Sequence, residues 1–150
     1  MSEVGLIDKA ERLAKRRARM FAVLAVFFLG LQAVYLSNGA LHENTPLARF
    51  KIGAWAVNAA LLLIALATGG GFLQGRDVRP LLNDETTLAH RRIAIAWGFW
   101  TMMATGFGLY FLSQFEEVTV REALHMVVTF GTAAPLLVFS YLERRAYRDA

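Results

Sequence analysis

Four long apolar stretches separated by short polar ones set the pattern of this chain. Met20 to Leu36, Ile52 to Leu73, Ile93 to Phe115 and Ala123 to Leu142 contain no Asp, Glu, Lys or Arg. A hydrocarbon core about 30 Å thick takes about 20 helical residues to cross, so each stretch predicts a spanning helix. Helices of a soluble bundle would show a polar stripe toward water. Barrel strands would alternate strictly over about 10 residues. Neither pattern occurs, and unsatisfied backbone groups in lipid leave helices as the remaining solution. The expectation is an all-α integral membrane four-helix bundle forming one domain, with spans at about 20–36, 52–73, 93–115 and 123–142.

The polar stretches complete the outline. Residues 1–19 place Leu6, Ile7, Ala10, Leu13 and Ala14 at helical spacing among Lys9, Arg12, Lys15 and Arg16. They read as a basic amphipathic segment, either lying on the membrane surface or extending the first span. The second span runs into Gly69-Gly70-Gly71, where glycine releases a helix. Next comes the one polar island, RPLLNDETTLAHRR, from Arg79 to Arg92. Pro80 predicts a bend, Asn83 or Asp84 a helix cap, and Asp84 with Glu85 favourable charge at a helix start. A cap does not require Asn83, Asp84, Glu85, Thr86 and Thr87 together. That surplus, with Arg91 and Arg92, is the expected partner-binding segment.

Charge adds orientation. Of 16 Lys and Arg residues, all but Arg49, Lys51 and Arg121 fall on one side of the predicted spans. The positive-inside rule then places both termini in the cytoplasm, in a bacterial-type inner membrane. The net charge of +4 is explained by basic margins that meet anionic lipid at the cytoplasmic face. Nucleic acid is not an expected partner, because no basic recognition module is present.

The chain also echoes itself. Shifted by 75 positions, Leu13 to Arg17 (LAKRR) falls on Leu88 to Arg92 (LAHRR), and Tyr35 falls on Tyr110. This suggests two pseudo-repeated helical hairpins about an axis along the membrane normal.

Polar residues inside the spans are few and uncharged: Gln32, Asn58, Thr101, Thr105, His125 and Thr129, with Thr132 and Ser140 on the same face as the last two. Interhelical hydrogen bonding is the first reading, and a pore lining is the second. A coupled carrier would retain a charge at depth. The small multidrug exporters, for instance, need a glutamate in the first span, where this chain has Gln32. Ala94 with Gly98 and Ala104 with Gly108 make small-xxx-small pairs, so the third helix is expected to be the most closely packed.

No cysteine is present, which excludes disulfides, thiolate metal sites and cysteine nucleophiles. The imidazoles are His42, His90 and His125. His90 and His125 are expected at opposite ends of their spans, too far apart to share a haem iron. His42, Glu43 and His125 form an unspecific metal set, and Asp84, Glu85 and His90 an unspecific acid–base set. No catalytic residue, metal or cofactor is therefore assigned. The expected function is a small noncatalytic polytopic protein, an accessory, scaffold or assembly subunit of a larger membrane complex or homo-oligomer. The alternative is a homo-oligomeric channel or facilitator lined by the small polar residues above.

Overall fold

The computed structural model describes residues 3–37, 45–69 and 85–148, and every regular element among them is a helix. The helices are α1 (Glu3–Ser37), α2 (Pro46–Ala67), α3 (Glu85–Leu112) and α4 (Val120–Arg148). Each is long and apolar enough to cross a membrane. α1 is uninterrupted, so the basic N-terminal segment and the first apolar stretch form one helix.

Local chemistry sets the helix ends. Thr45 caps α2 by accepting from the Ala48 amide at 3.1 Å, and Pro46 occupies the first helical position, where its missing N–H costs nothing. α2 therefore begins earlier than its apolar run. It ends at Ala67 because Gly69 turns the backbone to φ 66°, a left-handed conformation that glycine adopts without a steric penalty. α4 opens on a capping box. The Glu122 carboxylate accepts from the Thr119 amide at 3.0 Å, and the Glu122 amide donates to Thr119 Oγ1 at 3.3 Å.

The helix at the centre is α4, not α3. Half of its apolar span is buried, against 6% for α3, and α1, α2 and α3 all pack upon it. The core holds Phe21, Ala25 and Phe28 from α1, Leu62 and Leu66 from α2, and Leu136 and Phe139 from α4. Phe21 meets Phe139 edge to face at 5.3 Å, a favoured aromatic arrangement. One of the two small-residue pairs does what was expected. A Cβ on Gly98 would lie 3.2 Å from Gly131 O and 3.0 Å from Pro135 Cγ, so α3 and α4 approach closely there. The other pair does not, because Gly108 has open space beside it.

The helix pairing is not repeated between the halves of the chain. α3 packs closely along α4, whereas α1 packs along α4 and makes few close approaches to α2. The matched arginines differ as well: Arg17 is buried and Arg92 is exposed. The 75-residue echo is a likeness of sequence that the contacts do not reproduce.

Candidate functional site

Two polar clusters sit inside the bundle, one toward each end. The first is built on Arg17 and Glu143, which form an ion pair of 2.7 Å with both side chains only 2% exposed. Arg17 reaches this position because Arg17, Phe21, Ala25, Phe28 and Gln32 lie on one helical face, the face that α1 presents to α4. Glu143 continues the α4 stripe of His125, Thr129, Thr132 and Ser140, all of them buried.

Around this pair every element contributes. Thr87 of α3 accepts from Arg17 Nη2 at 3.2 Å and donates to Glu143 Oε1 at 3.3 Å. His90 Nδ1 donates to the same carboxylate oxygen at 3.1 Å. Arg17 Nη1 reaches the carbonyl of Gly69 at 3.5 Å, and Arg91 Nη1 the carbonyl of Ala67 at 2.6 Å. Two cations thus meet the carbonyls at the end of α2, where the helix dipole is negative. The Arg17 guanidinium also lies 5.6 Å from the Phe139 ring centroid, within cation–π range. Glu143 thus accepts from Arg17, Thr87 and His90, on two different helices, and the three contacts clamp α1 and α3 to α4.

The second cluster surrounds His125. Its Nε2 donates to Gln32 Oε1 at 2.6 Å. The ring is stacked between Trp55, 4.1 Å away, and Tyr35, 5.3 Å away. α1, α2 and α4 are joined there by one imidazole. His125 Nδ1, Trp55 Nε1, Thr129 Oγ1 and Thr132 Oγ1 are buried without a hydrogen-bond partner among the described residues. Beside Thr132 an apolar cavity of about 400 Å³ opens between α2, α3 and α4, lined by Leu66, Phe99 and Pro135 among others.

The structure redistributes the expected site residues. Asn83 and Asp84, like His42 and Glu43, lie outside the described residues. Glu85, Thr86 and Arg92 are exposed, Thr87 is buried in the ion-pair cluster, and Arg91 holds the end of α2. His90 pairs with Glu143 across the bundle. Gln32 and His125 meet across α1 and α4. Thr101 and Thr105 donate to carbonyls of their own helix, at 2.8 Å each, and Asn58 is half-buried on α2. Ser140 bridges helices by donating to Ala18 O at 2.6 Å.

His90 and His125 are separated along α4 by the distance from Glu143 to His125, about 27 Å at 1.5 Å per residue, so they do not share a ligand. Among the described residues no three His, Asp or Glu side chains gather as a metal site. Arg17 and Glu143 give no sign of a pairing in the sequence, because each lies just beyond a charge-free stretch. Extending the polar stripe of α4 by one turn from Ser140 would have reached Glu143.

Compared with protein families, curated proteins and solved structures, the chain matches none of them.

Proposed function

We propose that the protein is a noncatalytic four-span membrane subunit, an accessory or assembly element of a larger complex, with both termini on the cytoplasmic side of a bacterial-type inner membrane. The observation that carries this reading is the contrast between a clamped interior and an uncovered α3. The Arg17–Glu143 ion pair and the His125–Gln32 hydrogen bond hold α1 to α4 at both ends. α3 turns Trp100, Phe107 and Phe111 outward, each at least 66% exposed. Gly106 and Gly108 lie on either side of this aromatic face, each about 100° around the helix from Phe107, and leave open space for a Cβ. Small residues flanked by large apolar ones let another helix approach closely in lipid, so this face suits a partner helix. The channel reading receives less support, because Thr101 and Thr105 direct their hydroxyls to their own backbone.

The test is a photo-crosslinking amino acid at Phe107 in native membranes, with Val23 of α1 as the comparison position. A discrete protein adduct formed only from position 107, and lost with Gly106→Leu, supports the reading. Adducts with lipid alone would sink it. Conductance of the purified protein in sealed liposomes would favour the alternative.

A further inference from the structure

We infer that the apolar cavity between α2, α3 and α4 is a binding site for a neutral, membrane-dissolved lipid of the quinone class, whose ring oxygen pairs with the hydroxyl of Thr132. The cavity measures about 400 Å³, within the range of about 300 to 1,000 Å³ usual for small-molecule sites. Its lining divides into a mouth and a floor. Leu63, Ile95 and Phe99 are exposed and form the mouth, whereas Leu66, Gly98 and Thr132 are buried and form the floor. Because α2 and α3 scarcely touch each other, the mouth opens sideways between them, toward the acyl chains of a bilayer.

Polar chemistry narrows the occupant. No lining residue carries a charge, so a charged group would find no counter-ion there and the ligand is neutral. Thr101 and Thr105 spend their hydroxyls on carbonyls of their own helix, as threonine in a helix commonly does. Thr132 does not. Its hydroxyl is buried without a partner, a costly state in hydrocarbon. The methyl and hydroxyl of threonine are close in size, so rotation about the Cα–Cβ bond presents either one to the cavity. Beside it, Pro135 has no N–H, and the carbonyl of Gly131 loses its usual i+4 donor. An unpartnered hydroxyl and a carbonyl without its usual donor thus stand on adjacent residues of the cavity wall. A hydrocarbon chain answers neither. A quinone carbonyl accepts from Thr132, and the hydroxyl of the reduced quinol also donates to Gly131.

Depth distinguishes such a lipid from a phospholipid. Thr132 lies 10 residues from Glu122 and 11 from Glu143, about 15 and 17 Å along the helix, which places it near the middle of a hydrocarbon core about 30 Å thick. The carbonyls of a phospholipid are tethered to a charged head that does not sink so far. A quinone ring carries no charge and moves freely to that depth. Phe99 and Met102 of the lining supply an aromatic ring and a thioether, both favourable neighbours of a flat π system.

The assignment rests on the reading that the bundle spans a membrane, and the experiment separates the two. Membranes are first washed with alkaline carbonate, and the protein is then purified in detergent. It is mixed with decylubiquinone, with decylbenzene, which keeps a ring and the tail but has no oxygen, or with phosphatidylglycerol, and bound compound is measured by native mass spectrometry. The wild type is expected to retain decylubiquinone about fivefold over decylbenzene, the worth of about one hydrogen bond, and over phosphatidylglycerol. Thr132→Val keeps the shape and removes the hydroxyl. It is expected to lower decylubiquinone retention about fivefold, to leave decylbenzene unchanged, and to melt no lower than wild type without ligand, because the hydroxyl has no partner to lose. Leu63→Trp, at the exposed mouth, is expected to lower retention of both ring compounds. Equal retention of decylubiquinone and decylbenzene, or a Thr132→Val variant that binds like wild type or melts lower, would overturn the pairing with Thr132. Undiminished retention by Leu63→Trp would overturn the cavity as the site. Preference for phosphatidylglycerol would make an acyl chain the occupant and sink the proposal. Release by carbonate would overturn the membrane reading itself.

Discussion

Arg17 and Glu143, 126 positions apart in the chain, form a 2.7 Å ion pair that is almost closed to solvent. Removing one partner of such a pair strands a buried charge, at a cost of about 3 to 5 kcal/mol, whereas replacing both with apolar groups is often neutral. Glu143→Leu and Arg17→Met are each expected to lower the apparent melting temperature in detergent sharply, and the double variant to recover most of the loss. Additive losses in the double variant would show that the pair does not act as one unit.

At the other end, His125 and Gln32 make a buried hydrogen bond of 2.6 Å. His125→Leu leaves the Gln32 amide without its partner, which costs about 1 to 3 kcal/mol. Gln32→Leu in the same background should restore part of that stability. Thermal unfolding of the two single variants and the double reads this directly, and a double variant no better than His125→Leu would contradict it.

The glycines separate into those that need to be glycine and those that do not. Gly69→Ala forces a side chain into a left-handed conformation, at a cost of about 1 to 2 kcal/mol. Gly98→Ala presses on Gly131 O and Pro135, at 3.2 and 3.0 Å, and should loosen α3 from α4. Gly30→Ala, with nothing within 4 Å, should be neutral or slightly stabilising, because alanine is the better helix former. Proteolysis or thermal unfolding would rank the three, and a destabilised Gly30→Ala would contradict the packing described.

The absence of cysteine makes topology directly measurable. Single cysteines at Ser2 and Ala150 should react with a membrane-impermeant maleimide only after inverted vesicles are prepared. A cysteine at Ser113, beyond α3, should react in right-side-out vesicles. The reverse labelling pattern would refute the orientation inferred from Lys and Arg.

By itself the sequence determined the number and kind of elements. Charge-free stretches of about 20 residues leave few alternatives to long apolar helices, and Gly69 and the stripe of His125, Thr129, Thr132 and Ser140 announce their local roles through backbone geometry and helical spacing. The sequence did not show which helix is central. Small-residue pairs on α3 were as suggestive as the polar stripe on α4, and the choice depends on which faces meet. Nor did it show that Arg17 and Glu143 are inside. An arginine at the edge of an apolar run reads as a membrane-margin charge until another helix brings a carboxylate to it. Only the tertiary structure decided that, because burial of a charge is tolerable only where its partner, 126 residues away, arrives with the right geometry.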